Sequence, residues 1–285
     1  MDILKVLFLA IVEGITEWLP VSSTGHMILA EEFLSVEHMS VPFYNMFLYV
    51  IQLGAILAVL VLFWNRLYPF SRSKSADERA GILRLWGMVL IGVLPAAVIG
   101  LAFDDLLEKH VFVPGVRAYV VAIALVVYGV LFIIVERAAK RKRDTVETLS
   151  AITPKTALLI GAFQVLSVIP GTSRSGSTVL GARLLGVSRT VAAEFSFFMA
   201  IPVMVGVSLL KVAKFSVGAL KGEAGYELSP EPIVLLAVGF FAAFAVSLFV
   251  IRFLMDFVRR HSFECFGWYR IALGIAVLTY FLIAH

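Results

Sequence analysis

Apolar residues along this 285-residue chain fall in long, nearly unbroken runs separated by short polar stretches. A helix needs roughly 20 consecutive apolar residues to cross the hydrocarbon core of a bilayer. Six runs meet that length and predict transmembrane spans: Tyr44–Trp64, Leu85–Phe103, Ala118–Glu136, Ala192–Val212, Ile233–Phe253 and Gly267–Ala284. Two further apolar segments, Ile3–Leu29 and Thr156–Leu185, are interrupted midway by Pro20 and Pro170 and by polar residues. A backbone broken at membrane depth must be shielded by protein or line a polar cavity, so both segments are predicted as re-entrant helix–loop–helix elements.

The elements repeat in order: one broken segment and three spans, then the same again. The offset is about 150 residues, which divides a single integral-membrane domain, residues 1–285, into repeats of about 1–150 and 151–285. In this register Pro20 falls opposite Pro170. An odd number of spans per half turns the second half upside down, so the predicted fold is all-α and polytopic, with two inverted-topology repeats. Charge follows the same scheme. Cations crowd the segments after the first span (Arg66, Arg72, Lys74, Arg79, Arg84), after the third (Arg137, Lys140, Arg141, Lys142, Arg143, Lys155) and beyond the fifth (Arg252, Arg259, Arg260). The positive-inside rule makes those three loops cytoplasmic. The intervening loops, with Asp104, Asp105, Glu108 and Lys109 among their charges, are poorer in cations. Both termini then lie outside, and the two broken segments enter from opposite sides and meet near the midplane.

Composition narrows the class. The chain is 60% hydrophobic and 15% charged, with a mean hydropathy of +0.96; this excludes a soluble domain, and the net charge of +4 is a topology signal, not a nucleic-acid footprint. The single cysteine, Cys265, allows no intrachain disulfide and is expected as a small apolar filler. The start of the chain has neither a basic region nor a small-residue cleavage site before Glu13, so no cleaved signal peptide is expected.

The polar residues inside the broken segments carry the candidate chemistry, because ionisable groups at membrane depth are functional by default. Residues 170–178 read PGTSRSGST. Gly171 and Gly176 permit backbone geometries that aim several N–H groups at one point, and Arg174 adds a planar fork matched to phosphate oxygens. Thr172, Ser173, Ser175 and Thr178 supply further donors, so the stretch reads as a phosphate cradle. Residues 13–26 read EGITEWLPVSSTGH. Glu13 and Glu17 share one helix face, and two like charges in a low dielectric call for a cation between them; hard oxygen ligands beside a phosphate favour Mg²⁺ or Ca²⁺. The alternative is a pair of protonated glutamates at a polar helix interface. Past Pro20, Ser23 and His26 share a face if a helix restarts at Ser22, which suits a nucleophile and its general base. His26 as the attacking group, and water as the nucleophile, stay open, as does a capping role for Ser22 or Ser23. For Arg174 a structural pair with Glu13 or Glu17 is the alternative to a phosphate clamp, and the two can coexist in different states; Gln52 is expected as an interhelical hydrogen bond, with a site-lining amide as the alternative.

These two stretches, together with VIQLGAILAV at 50–59 and EFSF at 194–197, resemble the bacterial bacitracin-resistance family of undecaprenyl-diphosphate phosphatases over the full length of the chain. The resemblance implies a metal-dependent enzyme of the cell membrane that hydrolyses undecaprenyl diphosphate to undecaprenyl phosphate and inorganic phosphate, recycling the carrier lipid for peptidoglycan synthesis. It also implies an interlocked inverted-repeat fold with a site opening to the outer side, and functional positions at Glu13, Glu17, Ser23, His26, Ser173, Arg174 and Thr178. A flippase for a phosphorylated polyprenyl lipid is the alternative on the same architecture. Expected partners are the polyprenyl diphosphate substrate and the bilayer, with a homodimer left open and no nucleic acid.

Overall fold

The computed structural model describes residues 2–34, 36–110, 116–140, 143–227 and 229–284. Arg141 and Lys142, and the side chains of Asp104, Asp105, Glu108 and Lys109, fall outside the described residues. The described residues form helices joined by short turns: α1 Asp2–Thr16, α2 Ser23–Phe33, α3 Val41–Leu62, α4 Trp64–Leu67, α5 Ala76–His110, α6 Val116–Ala139, α7 Pro154–Val165, α8 Arg174–Leu184, α9 Arg189–Leu220, α10 Pro230–Arg260 and α11 Glu264–Ala284. Six of these, α3, α5, α6, α9, α10 and α11, are long and apolar enough to cross a membrane. They coincide with the six predicted spans. Most run several residues longer at one or both ends, because their polar ends continue the helix past the apolar window.

The ends follow from local chemistry. Ser40, Thr153 and Ser188 cap α3, α7 and α9, each accepting a hydrogen bond from a first-turn N–H, and Pro42 and Pro154 stand where a helix has no use for that N–H. Pro95 and Pro202 lie inside α5 and α9; a membrane helix tolerates them because neighbouring groups re-satisfy the freed carbonyls.

Both broken segments are confirmed as helix–loop–helix. α1 ends at Thr16 and α2 restarts after Ser22; α7 ends in a 3₁₀ turn, Leu166–Val168, and α8 restarts after Ser173. α1 packs on α10 and α7 packs on α5, so each broken segment lies against a long helix from the other half of the chain; α6 pairs with α11 and α3 with α9 across the same divide. The contact of α7 with α5 is set by glycine, since a Cβ on Gly161 would overlap the Gly92 carbonyl. A core of Trp18, Phe132, Phe195, Phe197, Phe198 and Phe263 fills the junction, while Leu90, Leu94, Val98, Phe241, Phe249 and Phe253 point outward. Apolar groups on the outside are the arrangement that lipid as solvent permits. Cys265 is exposed at the start of α11, not packed as a filler.

Candidate active site

The two restarts share one uncommon conformation. Ser22 and Ser173, at φ 75° and 69°, are the non-glycine residues with positive φ among those described. Each is the N-cap of the helix that follows: Ser22 Oγ accepts from Gly25 N at 3.2 Å and Ser173 Oγ from Gly176 N at 3.1 Å. Left-handed backbone at a non-glycine residue costs energy and persists where the surroundings over-determine it, often at functional sites. The caps place Ser22 opposite Ser173 and therefore Ser23 opposite Arg174, one residue away from the register that pairs Pro20 with Pro170. Gly176 sits in the first helical turn and not in a special conformation; of the two cradle glycines only Gly171, at φ 92°, needs to be one. A Cβ on Gly171 would also strike the Val121 backbone.

The first residue of each restarted helix reaches Glu17. Ser23 Oγ donates to Glu17 Oε2 at 2.9 Å, and Arg174 Nη2 donates to Glu17 Oε1 at 3.2 Å. One carboxylate thus joins both broken segments, and the structural pairing weighed for Arg174, with Glu13 or Glu17, is made with Glu17. Arg174 Nη1 is fixed by the Ser196 carbonyl at 2.8 Å, and its buried Nε has no partner. Glu13 lies one turn before Glu17, is 2% exposed, and keeps a buried Oε1 with no partner; Gln52 and Glu17 are its polar neighbours. Gln52 of α3 bonds Glu13 of α1, so it is the expected interhelical hydrogen bond and also lines the site.

An unsatisfied carboxylate oxygen beside a second carboxylate is a donor set that fits a hard divalent cation. Among the described residues no group of three His, Cys, Asp or Glu side chains is placed to hold one, so the shell of any cation held there would need oxygens from substrate or water.

His26 is not on Ser23. Its Nδ1 meets the Ser22 carbonyl at 2.7 Å and its Nε2 meets Tyr269 Oη at 2.6 Å. A carbonyl only accepts, so Nδ1 carries the proton and the Nε2 lone pair receives the Tyr269 hydroxyl. The two rings lie nearly parallel, 5.6 Å apart. With Ser23 at the start of α2, the i, i+3 relation turns His26 toward α11 while the serine turns toward α1.

The cradle hydroxyls divide in the same way. Thr172 Oγ1 lies 2.9 and 2.8 Å from the Leu166 and Ile169 carbonyls, and Ser175 Oγ lies near the Glu17 and Leu19 carbonyls. Thr178 Oγ1 meets Ser196 Oγ at 2.7 Å and the Arg174 and Ser175 carbonyls. These three side chains, expected as phosphate donors, are buried and committed to holding the loop, because at membrane depth released carbonyls claim the nearest hydroxyl.

Arg270 of α11 lies inside the predicted span Gly267–Ala284, outside the two polar stretches taken as the site. It is 0% exposed, donates from Nη1 to the Pro20 carbonyl at 3.2 Å, and from Nη2 to the Gly171 and Thr172 carbonyls at 2.8 and 3.1 Å. Its guanidinium also lies over the Tyr128 ring, 5.4 Å from the centroid. One cation therefore ties the two loops together. In a trans peptide the N–H points opposite to the C=O, so the Thr172 bond aims the Ser173 N–H away from Arg270. An arginine inside a predicted span is itself the signal that could have found it, although nothing in the sequence says which loops it reaches. Tyr269, an ordinary residue of a membrane helix, carries no such mark.

The profile of the family described as Bacitracin resistance protein BacA matches residues 6–276. The chain is 51% identical over 279 residues to the undecaprenyl-diphosphatase of Enterococcus faecalis, covering 97% of this chain and 96% of that protein. It is 51% identical over 282 residues to the undecaprenyl-diphosphatase of Acetivibrio thermocellus, covering 99% and 98%. With that of Streptococcus mutans the identity is 52% over 279 residues, covering 98% and 96%.

Proposed function

Because the chain belongs to the family described as Bacitracin resistance protein BacA, we propose that one constellation, Glu17, Ser23 and Arg174, performs its chemistry where the two broken helix pairs meet. The protein is an integral-membrane hydrolase, and its reaction is the hydrolysis of undecaprenyl diphosphate to undecaprenyl phosphate and inorganic phosphate. The observation that carries the assignment is the Ser23–Glu17–Arg174 chain, in which a hydroxyl, a proton acceptor and a phosphate-matched cation converge from opposite halves of the sequence.

Ser23 Oγ attacks the terminal phosphorus as Glu17 takes its proton over the existing 2.9 Å bond. The bond from that phosphorus to the bridging oxygen breaks, and undecaprenyl phosphate leaves. Water then releases inorganic phosphate from Ser23, which recovers its proton from Glu17. Arg174 exchanges part of its hold on Glu17 for phosphoryl oxygens, with its unpartnered Nε as a ready donor, and stabilises the charge that builds as the bond breaks. Glu13 and Glu17 would hold Mg²⁺ or Ca²⁺, which supplies charge neutralisation to the diphosphate. His26, with Tyr269, stands at the rim of the site and exchanges protons with entering water or the departing phosphate. Arg270 is a positioning residue that keeps the two loops in register.

The inverted arrangement, with the site facing the outer side of the membrane, belongs to the same proposal; the cation-rich loops support it. Transport of a phosphorylated lipid on this architecture is disfavoured, since binding alone needs no serine hydrogen-bonded to a buried carboxylate. The test is phosphate release from a prenyl diphosphate by the purified protein in detergent. EDTA is expected to stop release and added Mg²⁺ or Ca²⁺ to restore it. Ser23→Ala is expected to lower turnover by at least about 100-fold; turnover near wild type would move the attack to His26 or to water.

A further inference from the structure

A second anion-binding feature lies away from the phosphatase residues. A cavity of about 410 Å³ opens between α4, the start of α5 and the 3₁₀ turn Leu149–Ala151, lined by Asn65, Arg66, Lys74, Glu78, Gly81 and Arg84 among others. None of its lining residues belongs to the site described above. Three cations meet there. Arg66 pairs with Glu194 at 2.7 Å, and Glu78 is the acid in the wall. Three positive against two negative groups leave one net positive charge, the complement of a phosphodiester.

Donors remain for a ligand. Lys74 Nζ has three N–H groups and gives two, to the Asn65 and Tyr68 carbonyls. Arg84 donates from Nη1 and Nη2 to the Ser150 and Ile152 carbonyls, which fixes its guanidinium plane and orients its remaining N–H.

The depth of the cavity identifies the source of the anion. α3 ends at Leu62 and the apolar run of α5 begins at Leu85, so the lining from Asn65 to Met88 straddles the boundary where a span leaves the hydrocarbon. Exposed Trp64, Tyr68 and Phe70 ring the same boundary, with Trp64 and Tyr68 stacked at 4.7 Å; aromatic side chains gather at headgroup level. We propose that this cavity seats the phosphate headgroup of an anionic phospholipid, its acyl chains running along the apolar flank of α5. Basic pockets at the ends of membrane helices hold such headgroups by charge and shape together.

The shared chemistry is a phosphate oxyanion, and free phosphate is the other source. The experiment is native mass spectrometry of the full chain in detergent, titrated with phosphatidylglycerol and with phosphatidylcholine of the same acyl chains. The wild type is expected to prefer phosphatidylglycerol by roughly fivefold or more, as one net interfacial charge allows. Two variants probe the cavity separately. A Cβ on Gly81 meets nothing within 4 Å, so Gly81→Leu fills the space and leaves every cation in place; Lys74→Gln removes a charge and leaves the space. Both are expected to lose the preference while phosphate release from a prenyl diphosphate in detergent stays at the wild-type rate. Wild-type preference in both variants would overturn the site. Displacement of phosphatidylglycerol by inorganic phosphate, with phosphate itself retained, would overturn the lipid as the occupant.

Discussion

Two buried arginines, Arg174 and Arg183, sit on the same short helix α8 and differ in how completely they are satisfied. Arg183 donates from Nε to Glu136 Oε1 and from Nη1 to Asp144 Oδ1, both at 2.8 Å, and also to the Val187 carbonyl; Arg189 takes the second oxygen of Glu136 at 2.8 Å. No buried polar atom of Arg183, Glu136 or Arg189 is without a partner among the described residues. Around Arg174, by contrast, Arg174 Nε and Glu13 Oε1 are buried and unpartnered. A complete buried network fixes geometry; an incomplete one, held open at a cost, is a place where a ligand completes the count. The Arg183 cluster pins the segment around Val146, which bridges to Val187, against α8 and α9. Its job is architecture. The Arg174 cluster, with its unpartnered atoms, is the one we propose for turnover.

The contrast breaks most directly by removing each arginine in turn. Arg174→Ala is expected to lower turnover by about 10³-fold, the scale of losing a transition-state cation, with the folded fraction retained. Arg183→Ala is expected to do the reverse: it leaves one oxygen of buried Glu136 unpaired while Arg189 keeps the other, and releases the partly exposed Asp144, at a cost of about 3 kcal/mol in stability, while the surviving folded protein turns over near the wild-type rate. Melting temperature and rate per folded molecule, measured on both, decide it. Equal loss of both quantities in both variants would dissolve the distinction.

Arg270 tests whether a buried cation can belong to both groups. Arg270→Met keeps the bulk and frees three loop carbonyls. A fall in kcat of roughly 100-fold with KM within a few-fold is expected, since a misplaced catalytic group costs the transition state more than the bound state. A rise in KM alone would make Arg270 a binding group instead. Glu13→Gln sharpens the comparison at the carboxylate end: the amide keeps the shape but offers a cation no charge, so the divalent-metal concentration for half-maximal rate is expected to rise at least about tenfold.

The smallest effect belongs to a third kind of pair, on the surface. His38 Nδ1 meets Asp2 Oδ2 at 2.7 Å. The Asp2 carboxylate raises the His38 pKa above 6.5, and His38 lowers that of Asp2 from 3.8 to about 2. A raised histidine stabilises fully below its unfolded pKa and loses that contribution as pH rises through the folded value; a lowered aspartate stabilises above 3.8 and loses it as pH falls toward 2. The melting-temperature difference between wild type and His38→Gln is therefore expected to be largest between these limits, near pH 5 to 6, and to shrink by about pH 8. A difference that grows with pH would contradict the pairing.

What could be read before any fold was in hand was read from features that carry their meaning along the chain. Six spans, two broken segments, and the two polar stretches at 13–26 and 170–178 are consequences of bilayer thickness and of the expense of polar groups at depth. A pairing of Arg174 with Glu13 or Glu17 was legible as one of two readings, because opposite charges in a low dielectric attract strongly; that the partner is Glu17 came from the fold. Other assignments needed positions that no linear pattern contains. The serine–histidine spacing suggested contact between Ser23 and His26, but the path of the chain through Ser22 sends Ser23 to α1 and His26 to α11. Thr172, Ser175 and Thr178 looked like phosphate donors, but Thr172 and Ser175 bond carbonyls of the broken segments and Thr178 bonds carbonyls of its own helix and Ser196. Arg270 and Tyr269 stood in a span with no polar neighbourhood of their own, and only the packing of α11 brought them to both loops and to His26. Hydropathy and buried charge are properties of a residue and its near neighbours, so sequence carries them; which lone pair meets which donor depends on how distant helices cross, and tertiary structure alone decides that.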